Sequence, residues 1–448
     1  MNNVIGFKCT ICDAEYAPGQ VEYVCPQHGD EGVLGTVYDY KSIARQINPN
    51  KLSHQQTSSA LNLFRYKPLL PIDSESKGLP LQIGWTPLYR APRLEAKLGL
   101  REVWIKDDGR NPTASFKDRA SAIVVVKALE EKRERVTTAS SGNAGVALAG
   151  LAASVNLSTT IFVPQSAPQA KIAQLLIYGA TVFLVKGNYD AAFDVCLAAS
   201  KEFGWYCRNT AYNPFTVEGK KTAALEICEQ LTLSNPTPLR FGGHGFQLPT
   251  SNLQTPTSNP RHWEAPDRIF VSVGDGNIIS GLHKGLVDLA ELGWIESMPK
   301  LMGVQAEGAS ACYTAWAAGA DQVTAQPAKT IADSISVDLP RDGRRALRSV
   351  RQAGGAFVKV SDDDILAAMR ELAQEVGVFA EPAAAAAYAG LVASVRAGLV
   401  ASGERVVVVI TGSGLKDVPA AIKAAPAASV IEPNLDEVRR AIGPGNHR

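Results

Sequence analysis

From Trp85 onward the chain alternates short, β-branched apolar runs with longer amphipathic stretches, and this pattern constrains the fold most. The apolar runs fall at 103–106, 135–139, 159–163, 181–185, 268–273, 301–305 and 405–410. Helical stretches separate or follow them at 117–132, 144–154, 168–178, 190–203, 217–231, 278–292, 362–376 and 383–400. Strands that read as near-continuous hydrophobic runs are buried on both faces, so the pattern predicts parallel sheets covered by helices. At about 150 residues per domain, 448 residues make roughly three domain-sized units. The boundaries read as a small module at 1–36, a segment at 37–125 joining the larger unit, a smaller α/β unit at 126–215, a larger one at 216–428 and a tail at 429–448. Pro68, Pro71 and Pro80 make 37–84 read as irregular. The stretch 232–266, dense in Pro, Ser, Thr, Asn and Gly, reads as a mobile surface loop, with His244 as a solvated side chain or a substrate contact.

Several function classes are excluded early. Lys+Arg 45 against Asp+Glu 44 leaves a net charge of +1, a poor footing for a general nucleic-acid or anionic-membrane binder. No apolar run reaches the roughly 18 residues a membrane-spanning helix needs, and 1–10 has no signal-peptide apolar region. Seven cysteines in a chain this long do not make a disulfide scaffold, so a cytoplasmic location is expected. Three of the seven, Cys9, Cys12 and Cys25, stand with His28 at Cys-x2-Cys and Cys-x2-His spacing. That donor set suits a tetrahedral structural Zn2+ on a ribbon-like module, or a small hairpin whose metal site has decayed.

Four further motifs carry chemistry. In Asn111-Pro-Thr-Ala-Ser-Phe-Lys-Asp-Arg119, Ser115 and Asp118 look like a capping pair, which puts Lys117 in the first turn of a helix. The positive helix end and partial burial both lower the pKa of an ammonium ion, as carbonyl condensation requires; a solvated lysine fits the same letters. Ala139-Ser-Ser-Gly-Asn-Ala-Gly145 follows a strand and opens a helix, where Ser140, Ser141, Asn143 and free N–H groups make an anion site. Val273-Gly-Asp-Gly-Asn-Ile278 has glycines that let backbone N–H groups close around a phosphate, although a tight turn reads alike. Ile410-Thr-Gly-Ser-Gly-Leu-Lys-Asp417 puts Thr411 at the carboxyl end of the most apolar strand, where open α/β sheets bind ligands. Together they meet the needs of pyridoxal 5′-phosphate (PLP) acting on an amino acid.

With WTPLYRAPRL (85–94), NTAYNPFTVEGKKT (209–222) and AEPAAAAA (380–387) added, the motifs resemble the fold type II PLP enzymes, and within them the threonine synthases. The resemblance implies a tryptophan synthase β-like α/β fold of two open, twisted, mostly parallel sheets covered by helices. It implies Lys117 as the Schiff-base lysine, Asn143 at the PLP 3′-oxygen, and Gly274, Asp275, Gly276, Asn277 and Ile278 around the cofactor phosphate. Thr411 would face the pyridine nitrogen, and Ser140 and Ser141 the substrate carboxylate. The implied reaction is that of a lyase turning O-phospho-L-homoserine and water into L-threonine and phosphate, by γ-elimination and then water addition at Cβ. The implied partner is a small amino-acid substrate, with a homodimer as the assembly. Two positions depart from the family pattern. Ala144 replaces a threonine and Thr216 an arginine, which leaves recognition of a phosphorylated substrate to other cations such as Lys220, Lys221 or Arg119. The alternative is another fold type II β-elimination or β-replacement on serine, threonine or a phosphorylated amino acid. A non-catalytic ribbon-bearing binding protein is a third reading, against which Lys117 counts.

Overall fold

The computed structural model describes residues 3–55, 57, 60–140, 142–165, 167, 169–234 and 262–442. Among these, three sheets organise the chain. Strands β1 (Val4–Cys9), β2 (Glu15–Tyr16) and β3 (Leu34–Tyr38) form an antiparallel ribbon in the order β2-β1-β3. The ribbon is not an appendage: Phe7 meets Phe215 edge-on at 5.9 Å, and Tyr23 stacks on Tyr212 at 4.8 Å.

The next strands are β4 (Leu88–Arg90), β5 (Glu102–Asp107), β6 (Arg135–Ala139), β7 (Ser158–Pro164), β8 (Thr181–Val185) and β9 (Tyr206–Cys207). They are followed by β10 (Arg268–Ser272), β11 (Lys300–Ala306), β12 (Ala356–Val360) and β13 (Arg405–Ile410). One sheet runs β12-β11-β10-β13-β5-β4, parallel except where β4 pairs antiparallel to β5; the other runs β8-β7-β6-β9, wholly parallel. All seven expected strands are present, and the alternation of the sequence becomes the expected α/β architecture. Strand β12, AFVKV, escaped the sequence reading because it is short and Lys359 breaks its apolar run; only Phe357 and Val360 are buried, as suits the half-buried edge of this sheet.

The segment expected to be irregular is instead a tightly docked strap. It forms helices Tyr40–Gln46 and Pro49–Ser53 and a 3-10 run Leu63–Leu69, with Leu63, Tyr66, Leu69, Leu70 and Ile72 fully buried. Proline does break long helices there, but tertiary contacts hold the short pieces. The Tyr38 hydroxyl donates to Glu218 at 2.8 Å, Tyr40 to Asp288 at 2.7 Å, and Arg65 and Tyr66 both to Glu229. Positions 235–261 of the loop, including His244, lie outside the described residues. Its two ends are pinned, since Glu264 N–H donates to the Thr232 hydroxyl at 2.7 Å and Trp263 is buried against Trp294. No helix among the described residues is long and apolar enough to cross a membrane.

Candidate active site

The site gathers at the carboxyl ends of β6, β10 and β13, where open α/β sheets expose loops and helix starts to a ligand. Lys117 is the first residue of the helix Lys117–Glu130. The expected capping pair is different in detail. Asp118 accepts from Thr113, whose backbone N–H lies 2.7 Å away, while the buried Ser115 hydroxyl makes no hydrogen bond. The entry to this helix is also stitched to the exit of β13: Phe116 N–H donates to Thr411 C=O at 2.9 Å and Ser413 N–H to Ala114 C=O at 3.1 Å. Lys117 and Thr411 are thereby fixed in one register.

Two residues beyond Lys117, Arg119 anchors the helix from below. Its guanidinium donates to Asp108 at 2.6 and 2.9 Å and to Glu226 at 2.6 and 2.7 Å, all fully buried, and Lys106 joins Glu226 at 2.7 Å. Lys221 is likewise held by Glu218 and Asp288 at 2.6 and 2.7 Å. Of the three cations singled out from the sequence, Lys220 alone lines the cavity described next.

That cavity is a cleft open to solvent, and Lys117, Asn143, Gly274, Asp275, Gly276, Asn277, Ile278 and Thr411 all line it. The glycines have backbone reasons to be there. Gly276 takes φ +90° as N-cap of the helix Asn277–Glu291, and a Cβ on it would lie 2.8 Å from Ala346 Cβ. The first N–H groups of that helix have no partner within it, which makes an anion cradle. The Asn277 side chain is already occupied, accepting from Lys220 and donating to Asp342 at 2.7 Å, so what it offers the cradle is its backbone N–H. Ser140 lines an adjoining, more open outer cavity, with Lys117, Asn143 and Asp275 among the residues shared between the two. Ser141 lies outside the described residues.

Charge at the site is mixed and buried. Burial lowers the Lys117 pKa, the nearby Arg208 lowers it further, and Asp275 and Glu381 pull the other way. Lys220 is pushed further down, by burial and then by Lys117 and Arg208. Asp275 is raised by burial. Two fully buried polar atoms here have no hydrogen-bond partner, Asp275 Oδ1 and Arg208 Nη2. A site with a low-pKa lysine, a glycine-lined anion cradle, buried cations and unsatisfied polar atoms fits a phosphate-bearing aldehyde such as PLP.

Sequence reasoning missed Glu381. It lines the cavity, and both its oxygens accept from Asn143 Nδ2, at 2.9 and 3.1 Å. The AEPAAAAA motif contains it, but nothing in the letters says that it meets Asn143 across 238 positions. The contact explains Gly412: a Cβ there would come within 2.6 Å of the Glu381 carboxyl carbon. Gly412→Ala is expected to displace Glu381, cost about 1–3 kcal/mol of stability and weaken PLP retention. Denaturant unfolding and cofactor titration of the variant measure both effects.

The N-terminal cysteines and His28 also converge. Their ligand atoms all lie within 4.8 Å of one another, with Cys12 Sγ to Cys25 Sγ at 3.9 Å and Cys25 Sγ to His28 Nδ1 at 3.6 Å. A tetrahedron with Zn–S bonds of about 2.3 Å has edges near 3.8 Å, so the four donors could hold such an ion.

The chain belongs to the pyridoxal-phosphate dependent enzyme family, whose model matches residues 79–243 and 254–412. It is 34% identical to a threonine synthase of Methanocaldococcus jannaschii over 97% of this chain and 98% of that protein. A threonine synthase of Methanosarcina acetivorans is 34% identical over the same shares. Among solved structures, threonine deaminase isoform 2 of Solanum lycopersicum superposes with a TM-score of 0.59 at 23% identity, covering 76% of this chain and 82% of that one.

Proposed function

We propose that the protein is a PLP-dependent lyase converting O-phospho-L-homoserine and water to L-threonine and phosphate. The observation that carries this reading is the convergence of Lys117, Asn143, the 274–278 loop and Thr411 on one cavity, in a chain 34% identical to threonine synthases along nearly its whole length. When bound, PLP supplies an electron sink for negative charge left on the substrate's carbons.

The chain's own residues do the rest. Lys117 would hold the cofactor through its amine and, when that amine is free, would carry protons at the substrate Cα and Cβ; burial lowers its pKa, the direction a base needs. Helix-start N–H groups at 276–278, backed by Lys220, hold the cofactor phosphate. Thr411 offers a hydroxyl to the ring nitrogen without a charge. Asn143, whose side-chain nitrogen is held by both Glu381 oxygens, would present its amide to the 3′-oxygen. Ser140, with Ser141 beside it in sequence, binds the α-carboxylate. The test is an assay for phosphate release with threonine detection. Turnover of serine, threonine or another phosphorylated amino acid in its place would favour the β-elimination or β-replacement alternative.

We also propose that Cys9, Cys12, Cys25 and His28 bind one structural Zn2+. The spacing of the four ligand atoms supports it, and the ion would have no part in the chemistry. Elemental analysis of protein purified without chelators is expected to give one zinc per chain, and Cys25→Ser to lose most of it with a lower unfolding temperature. Zinc-free, equally stable wild-type protein would contradict the assignment.

A further inference from the structure

The substrate inferred above carries a phosphate, yet the arginine and hydroxyl expected to receive it are replaced by Thr216 and Ala144. Thr216 is itself buried, and its hydroxyl is spent on Asn213 C=O at 2.9 Å. The outer cavity makes matters worse for a dianion. Asp190, Asp275, Asp333 and Asp338 line it, and Lys117 is the one cation among its described lining residues.

The surrounding cations can be sorted by what already holds them. Arg119 and Lys221 are locked in buried ion networks. Lys220 is fully buried against Asn277, on the cofactor side. Arg208 is fully buried and bonds Thr210 at 2.7 Å through Nη1; its Nη2 has no partner, but the side chain is absent from the lining of both cavities. Arg341 pairs with Asp190, lies over the Phe193 ring at 5.0 Å and lines a different cavity beside His28 and Arg345. Lys416 reaches Gln174. Arg341 and Lys171 both pair with an aspartate that lines the outer cavity, but the Arg341 side chain lines the cavity beside His28, whereas Lys171, on the helix Gln169–Ile177, sits against the serine-rich loop at Gly142. It pairs with Asp333, and a Cβ on Gly142 would lie 3.9 Å from its ammonium nitrogen.

We propose that Lys171 is the residue that binds the substrate phosphate, held in reserve by Asp333; the inference rests on the reading of the substrate as O-phospho-L-homoserine. The exchange is physically cheap. The Asp333 side chain is 52% exposed and that of Lys171 16%. The carboxylate can return to water at little cost, since ion pairs with an exposed partner are worth little. Lys171 then trades a monoanion for a group carrying about −1.5 to −2 charges, beside the serine-rich loop that receives the same substrate's carboxylate.

The test uses the PLP-loaded enzyme, with Lys171→Met, Lys171→Arg and Asp333→Asn beside wild type. In phosphate release from O-phospho-L-homoserine, K171M is expected to raise KM by about 10- to 100-fold, the worth of a charge-assisted hydrogen bond, with kcat within about threefold. K171R should recover most of the affinity, and D333N should lower KM a few-fold by removing the competitor. The second readout is titration of the cofactor's visible band with L-threonine, which has no phosphate; its affinity should be the same in K171M and wild type. A KM in K171M within twofold of wild type overturns the proposal. So does an equal loss of threonine affinity, which would mark a structural role. If wild type releases no phosphate from this substrate, the reading of function has failed and the proposal falls with it.

Discussion

Replacing Lys117 with alanine is expected to remove the visible absorption of lysine-bound PLP and to lower turnover by at least about 10³-fold. Two losses combine. The covalent hold on the cofactor disappears, and so does the base that moves protons at the substrate carbons; general-base catalysis alone contributes about 10²–10⁴ in rate. The fold should survive, because the helix is anchored two residues further on by Arg119 rather than by Lys117. Absorption spectra and single-turnover kinetics of K117A measure the two losses separately. A variant with the wild-type band and rate would contradict the assignment.

The largest stability effect is expected at Glu226. Its carboxylate compensates two fully buried cations, Arg119 and Lys106. Burial alone would raise its pKa, but the two cations outweigh that and hold it down at about 2, against an ordinary value of 4.5. Glu226→Gln leaves Asp108 as the one carboxylate bonded to Arg119, and Lys106 with no carboxylate at all. Uncompensated buried charge costs about 3–5 kcal/mol. The same pair sets a pH dependence. A carboxylate whose folded pKa is depressed contributes stability that is fully present above about 4.5 and is lost as pH falls toward about 2. Chemical denaturation from pH 6 to pH 3 should therefore show wild type losing stability on acidification. E226Q should start lower and lose less over that range. Equal slopes for the two proteins would refute this account of the network.

How much of this was readable before any coordinates depends on whether a feature is local. The cofactor cradle was legible because strand, glycine turn and helix start are contiguous in each of three motifs, so Asn143, Gly274, Gly276 and Thr411 announce themselves. Partnerships across the chain were not. Glu381 finds Asn143 only when β6 and β13 are brought together. Arg119 reads as a free cation in its motif, yet Asp108 and Glu226 claim it in the fold. Ser115 looked like the cap from spacing alone, but the loop turns Thr113 toward Asp118. The 40–72 strap was misjudged because prolines mark where helices stop and say nothing about how deeply the pieces between them are buried. Tyr66 is fully buried there despite Pro68 two residues away.

The central claim is that this site makes threonine from a phosphorylated homoserine, and the most direct measurement is product stoichiometry. Purified, PLP-loaded enzyme is incubated with O-phospho-L-homoserine, and phosphate, threonine and keto acid are quantified over the same time course. The account predicts equal amounts of phosphate and L-threonine, no keto acid, and product from K117A formed at least about 10³-fold more slowly. Phosphate accompanied by keto acid and ammonia in place of threonine, or no phosphate release from a fully PLP-loaded enzyme, would contradict it.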